Sequence, residues 1–428
     1  MFLILGCTSD ADLLQNTISV LEKSQLETQQ SEKEPEASLE VAEENPVPET
    51  ETSKPLNAKV ISTVAELIEN LKSGANLYLE AGDYKLTSTQ YLTDLSNVTV
   101  TGADGAVIMG DLITLLQFRG EAKNIEFRNV GFNSTSTSKT ETGGGIVYFS
   151  QTTAENILFD NCSFTCPELN ANGLKFVSEG SARSKNITII NCVFLNIGRM
   201  GFETQNHTYD GIARITDVKV TDCEFQRLGL QSPYGMAVSL SGIGKSAQIS
   251  KNTIVDAKDR GIENVGWSNI KIADNTFSSP STAYAPITCS KDKVGGPQYI
   301  LDVIISGNNG TILGKEDHLL EISDCNGLKF LDNNFNTDAM HLVHTINSEF
   351  NSNTHYSDGG IGIYIELNSN DNTFKGNKFV STADNATTVV IFVGSAGNIF
   401  QNNILLAEGN DSGTFNDVDG GNTNLDVN

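Results

Sequence analysis

Residues 186–194 read NITIINCVF, and residues 217–225 read DVKVTDCEF. In both, apolar and polar residues alternate with period two, which is the signature of a half-buried strand. Each stretch then passes through Asn191 or Asp222, a cysteine and one more residue before closing on phenylalanine. The same pattern recurs along the chain as NIEFRNVGF, NILFDNCSF, AQISKNTI, NIKIADNTF, VIISGNNG, LKFLDNNF, FNSNTH, NTFKGNKF and NIFQNNI. The closing positions are Phe132, Phe164, Phe194, Phe225, Ile254, Phe277, Gly310, Phe335, His355, Phe379 and Ile404, at intervals of 20 to 33 residues. A period of this length means that each repeat is one supersecondary unit, unable to bury its inner face alone and stabilised by stacking on its neighbours. No helical pattern interrupts the repeat. The unit that fits is one coil of a single-stranded parallel β-helix solenoid. The repeats predict about 11–12 coils over residues 58–428.

Two positions before the closing residue stand Cys162, Cys192, Cys223, Asn252, Asn275, Asn308, Asn333, Asn353, Asn377 and Asn402. Identical side chains at one point of successive coils stack, and asparagine amides then bond along the stack. In this ladder the chain resembles the right-handed parallel β-helix proteins, the pectate-lyase-like superfamily, whose inner turns carry asparagine ladders. The resemblance implies an all-β, right-handed solenoid. It does not fix an activity, because one fold hosts many chemistries. Cys162, Cys192 and Cys223 fall about 4.8 Å apart by strand spacing, within reach of a disulfide. A stack of buried thiols is the favoured reading.

Residues 62–86, STVAELIENLKSGANLYLEAGDYKL, carry Val64, Leu67, Ile68 and Leu71 at helical spacing. This predicts an amphipathic helix that caps the open end of the solenoid.

The chain opens MFLILGCTSD. The run ending in Leu5, Gly6 and Cys7 resembles the lipobox of bacterial lipoproteins, which implies a lipidated Cys7. It departs from that pattern in Leu5, where a small residue is usual, and in the short run before the cysteine. Residues 1–7 are read as the remnant of a lipoprotein signal. Residues 8–57 hold twelve acids and three bases. Such a segment buries too little apolar surface to offset its ordering entropy and is read as a disordered acidic linker. The expected location is the bacterial outer membrane, lipid-anchored and facing the periplasm or the cell surface. An outer-membrane protein complex is a further expected partner.

Charge narrows the function. The chain of 428 residues has 28 Lys and Arg against 53 Asp and Glu, a net charge of −25. Nucleic-acid binding needs a basic footprint and is excluded. A polysaccharide partner fits better. Within each coil a second strand can be aligned: GLKFV from residue 173, GFETQ from 201, GMAVS from 235 and GIENV from 261. The third position of each faces outward and reads Lys175, Glu203, Ala237 and Glu263. Glu203 and Glu263 are thus two coils apart, about 9.6 Å between backbones. Carboxylates about 6.5–9.5 Å apart suit an inverting glycosidase.

The long coils here add His207, Tyr209, Asp210 and Arg214 in NHTYDGIAR, Arg199, Tyr234, Asp259, Arg260 and Trp267. Aromatic platforms beside carboxylates are what a sugar chain needs. One expectation is a hydrolase in which one glutamate protonates the leaving oxygen and the other activates water. The superfamily resemblance implies a second, a lyase with Lys175, Arg199 or Arg260 as base and carboxylates holding Ca²⁺. The third is a non-catalytic surface lipoprotein that binds a glycan or a partner. For any single one of these residues, the plainer reading is a charge on a solvated face. Thr204 and Asn264, at inward positions, add mild support for a specialised site.

Overall fold

The computed structural model describes residues 54–279, 285–312, 320–337, 339–357, 361–381, 387–407, 414–418 and 420–424. Cys7 and the acidic segment through residue 53 lie outside the described residues. Residues 51–428 form one compact unit.

Period-two alternation folds as expected into short strands, and every strand pair is parallel. Each coil turns through three sides. One side is a 13-stranded sheet, here sheet III, and the other two belong to a 24-stranded sheet that bends around a corner. Val238–Ser250 shows the bend: its first half pairs with Phe202–Asn206 and its second half with Ile215–Thr221. The first half lies on sheet I and the second on sheet II.

Ten of the eleven closing residues stack in register on sheet III, from Phe132 and Phe164 through to His355 and Phe379. The eleventh does not. Phe379 pairs with Leu405, so the inward residue of the last repeat is Leu405 rather than Ile404. Two further strands, Gly82–Lys85 and Ala106–Gly110, precede the repeats on this side and lack the closing phenylalanine. They account for coils beyond the eleven repeats. Inside, Phe164, Phe194 and Phe225 stack with ring centroids 4.6 and 4.7 Å apart. Offset stacks of this kind add to the burial of the rings.

The turn ladder forms. Cys162 N–H donates to Cys192 Sγ, Cys192 N–H to Cys223 Sγ, and Cys223 N–H to Asn252 Oδ1. Asparagines then continue to Asn377, whose N–H donates to Asn403 Oδ1. Asn403, not Asn402, ends the ladder, because Asn402 takes the left-handed turn at φ 56°. Cys162, Cys166, Cys192, Cys223, Cys289 and Cys325 are free buried thiols, so the stack of thiols is what the fold builds. A second ladder, Ser348 to Asn372 to Asn398 to Asn422, runs along the neighbouring turn.

The cap is α1 (Val64–Asn70). Thr63 and Glu66 form a reciprocal capping box at its start, which satisfies two of its free N–H groups. Leu67 and Leu71 join the core, whereas Ile68 faces solvent. A strand, Lys59–Ile61, precedes the helix and pairs with Asn76–Leu79.

Candidate active site on the outer face of sheet I

Alternation sends Leu174 and Phe176 into the core and leaves Lys175 on the outside of its strand, Asn172–Ser178. Register then places Lys175 beside Glu203, Glu203 beside Ser239, and Ser239 beside Glu263. Glu203 and Glu263 are two coils apart, as expected. The residue between them is Ser239, however, and not Ala237, which is buried. The row continues through Tyr148 before Lys175 and through His341 after Glu321. From Tyr91 the row reads Gln117, Tyr148, Lys175, Glu203, Ser239, Glu263, Thr288, Glu321, His341 and Tyr364, and it continues past Tyr364 to Val390 and Asn416.

Lys175 and Glu203 do not face open solvent, contrary to expectation. Their side chains are only 3% and 4% exposed. Three donors converge on Glu203 Oε2: Asn172 Nδ2 at 2.5 Å, Lys175 Nζ at 2.7 Å and Arg199 Nη1 at 3.1 Å. The other oxygen, Oε1, takes none of these bonds. Arg199 also donates to Asn172 Oδ1, and Met200 N–H shares that acceptor. From outside, Glu141 pairs with Arg199 Nε at 3.2 Å, and the half-exposed Tyr234 ring lies 5.8 Å from the guanidinium carbon. Loop residues therefore roof this part of the row. Burial pushes the Glu203 carboxyl up. The Lys175 and Arg199 charges and the bonds from Lys175 and Asn172 outweigh it and hold the group below its ordinary value.

Glu263 has the opposite balance. Its side chain is 16% exposed. It accepts from Ser239 Oγ at 2.7 Å, and Arg260 Nη1 lies 3.5 Å from Oε1. The same Arg260 nitrogen pairs with Asp259 at 3.0 Å. Burial raises the Glu263 carboxyl, and Asp259 and Glu203 add to the rise. Arg260 and Ser239 only partly offset it. Asp259 is raised by burial as well, against the pull of Arg260. The two glutamates of the row are thus pushed apart in acidity, an arrangement that separates an acid from a base. Nearby, burial and then the Lys175 charge lower the His207 imidazole, while Glu179 and Glu203 pull it the other way. His207 is exposed at the rim.

Other expected residues lie elsewhere. Trp267 is fully buried and makes no platform. It sits at the corner between sheets I and II, its indole filling the space beside Gly244, where a Cβ would lie 2.0 Å from the ring. Asn264 holds that corner, accepting from Trp267 N–H and donating to its carbonyl. Asn264 and Thr204 are core residues and not part of a cleft. Arg214 is buried, clasps Asp210 through two contacts and donates to Gly180 O at 2.7 Å. This pair closes a loop. Tyr209 is exposed on that loop, with its carbonyl against Gly295.

A second polar cluster sits further along, at the ends of the sheet I strands. His344 Nδ1 lies 2.8 Å from Asp324, its Nε2 lies 2.8 Å from the Tyr299 hydroxyl, and Lys291 pairs with Asp324 at 3.0 Å. These residues come from separate coils, so no local motif announces them. Among the described residues, no group of three or more His, Cys, Asp or Glu side chains is placed to hold a metal ion. Glu203 and Glu263 face cations or a hydroxyl and are not grouped with further carboxylates as a Ca²⁺ site requires.

Comparison with known proteins agrees with this architecture. Residues 86–277 match the family described as the right handed beta helix region. The fold of the chain is a right-handed parallel β-helix. Similar solved structures include a GH87 alpha-1,3-glucanase from Streptomyces thermodiastaticus, at 13% identity and TM-score 0.52, covering 89% of this chain and 72% of that one. A mannuronic acid specific polysaccharide family 6 lyase from human gut microbiota is 14% identical, with TM-score 0.54 and coverage of 87% and 91%. The Streptococcus pneumoniae surface protein and adhesin PfbA is 13% identical, with TM-score 0.50 and coverage of 83% and 93%. At these identities the likeness is one of fold. No curated protein matches the chain by sequence.

Proposed function

We propose that the outer row of sheet I is a cleft that binds and cleaves a polysaccharide, with Glu263 and Glu203 as acid and base of a hydrolase. One observation carries this reading. From Tyr91 to Tyr364, eleven register-aligned outward positions hold no aliphatic residue. Aromatic rings stand toward both ends, and the charged groups are concentrated between them.

Glu263, raised by its surroundings, stays protonated longer and gives its proton to the leaving oxygen. Glu203, kept ionised by Lys175 and Arg199, uses its free Oε1 to orient and deprotonate water. The backbone separation of about 9.6 Å leaves room for that water. Tyr148, next to Lys175 in the row, and Tyr234, near Arg199, offer ring faces to sugars. The glucanase and the polysaccharide lyase among the structural neighbours are named for polysaccharide substrates, which supports the substrate class.

A lyase is the second reading. It is favoured by the meeting of Lys175 and Arg199 on one carboxylate oxygen, with Lys175 as the base. Binding without cleavage is the third and has its parallel in the adhesin. The test is incubation of the full chain with a panel of neutral and uronate polysaccharides, reading reducing ends and the ultraviolet absorbance of unsaturated uronate. New reducing ends without absorbance support the hydrolase. Absorbance moves the assignment to Lys175. Binding with neither signal sinks the cleavage reading.

From the sequence alone we also propose that Cys7 carries lipid and that residues 8–57 tether the domain to a bacterial outer membrane. Incorporation of labelled palmitate in a bacterial host tests this. Label retained by Cys7→Ser would refute it.

A further inference from the structure

Sheet II carries a second aligned row, on another face of the solenoid. In register it reads Lys219, Gln248, Lys271, Ile304 and Lys329. The row lines a groove of about 580 Å³, distinct from the Glu203–Glu263 row. From Lys219 to Lys329 it holds no carboxylate, in a chain where Asp and Glu outnumber Lys and Arg by 53 to 28, and Glu349 follows Lys329 in register outside the groove. Asp217 and Asp302 also line the groove, at left-handed corner positions.

All three lysines are exposed. Some lysines elsewhere are paired: Lys185 with Glu155 at 3.0 Å, and Lys291 with Asp324 at 3.0 Å. Among the described residues, Lys219, Lys271 and Lys329 form no ion pair. Three exposed cations in one line outnumber the two carboxylates of the groove and present positive charge to an anion from outside.

The spacing selects the anion. The lysines occur on alternate coils, so they repeat every 9.6 Å or so, twice the separation of neighbouring strands. An extended sugar chain spans such a distance in two residues. Between Lys271 and Lys329, Ile304 is exposed and offers an apolar surface to a ring face. Between Lys219 and Lys271, Gln248 offers an amide for hydroxyl groups. We propose that this groove binds a polysaccharide strand lying along the solenoid axis and bearing one carboxylate or sulfate on alternate sugars. A line of charges sunk in a groove matches a strand better than it matches the flat surface of a membrane. The proposal does not depend on the chemistry assigned to sheet I.

The test is calorimetric titration of the full chain with hyaluronan oligosaccharides, which carry a carboxylate on alternate sugars, and with dextran as the neutral control. The same titrations are run on the Lys219→Gln, Lys271→Gln, Lys329→Gln triple variant and on Glu263→Gln. These lysines are exposed, so the triple variant is expected to keep its thermal midpoint. Hyaluronan binding is expected to weaken as salt rises, to fall at least tenfold in the triple variant and to persist in Glu263→Gln. Dextran is expected not to bind. Absence of hyaluronan binding, or binding that survives in the triple variant, overturns the proposal. So does equal lysine-dependent binding to phosphatidylglycerol vesicles.

Discussion

Lys175 Nζ lies 2.7 Å from Glu203 Oε2, and both side chains are almost sealed from solvent on the outside of a β-helix. Charges on an outward strand are ordinarily solvated. Here the ammonium replaces lost water for the carboxylate, and Arg199 and Asn172 complete its partners. Removing one member leaves an uncompensated buried charge. Lys175→Met is expected to cost about 3–5 kcal/mol of unfolding free energy. Lys175→Met with Glu203→Leu should recover much of that loss, since paired replacement by apolar groups is often neutral. Urea unfolding of the single and double variants checks both outcomes.

His355 takes a place in the phenylalanine column, between Phe335 and Phe379. It is buried, with Nε2 2.8 Å from the Thr337 hydroxyl. Burial pushes its imidazole down to about 4, only partly opposed by a bond with the Gly362 backbone. The folded protein therefore keeps His355 neutral while the unfolded chain protonates near its ordinary value, about 6.5. Stability present above pH 6.5 or so is lost as pH falls to about 4, by roughly 3 kcal/mol, and the loss then levels off. Thermal melts across this range on the wild type and His355→Phe should show a shallower slope for the variant.

The six free cysteines of the domain are buried, and burial pushes the thiols of Cys166 and Cys289 up to about 12. Thiolates are the reactive form, so these groups should be inert while the fold holds. With Cys7→Ser to remove the remaining thiol, a thiol reagent should find none in the native chain and six after denaturation. Fast reaction of any native thiol would contradict the assigned burial.

The opposed environments of the two glutamates shape a pH profile. Activity is expected to fall as pH rises through the raised range of Glu263, where the acid is lost. It is also expected to fall at low pH, where Glu203 finally protonates. The rate should trace a broad bell whose alkaline limb lies above the ordinary carboxylate range. Initial rates against pH, with substrate below saturation, check it.

Much of this was legible in the repeats. Alternation, period and the turn ladder predict the solenoid because they report the inside of each coil, where packing leaves one arrangement. Ile404 was misread because the final repeat carries Asn402 and Asn403 in succession, and only the backbone distinguishes the left-handed turn from the ladder position. On the outer face, aligning strands by their leading glycine put Ala237 where Ser239 lies. The alternation Val238, Ser239, Leu240 would have corrected it. Burial of Lys175 and Glu203 was not legible, because Glu141 and Tyr234 arrive from other coils, and Arg199 from the turn just before Glu203, to cover them. Trp267 was placed outside because its corner position gives no periodic signal, and only the missing side chain of Gly244 opens the core to it.

Reducing-end release by Glu263→Gln is the most direct measurement, made beside the wild-type chain on whichever polysaccharide the panel selects. The substitution keeps the size and removes the proton that the leaving group needs. Rates at least a hundredfold below wild type, with an unchanged melting temperature and retained glycan binding, are the expected result. A Glu263→Gln chain that cleaves at the wild-type rate would contradict the assignment of the sheet I row as the catalytic cleft.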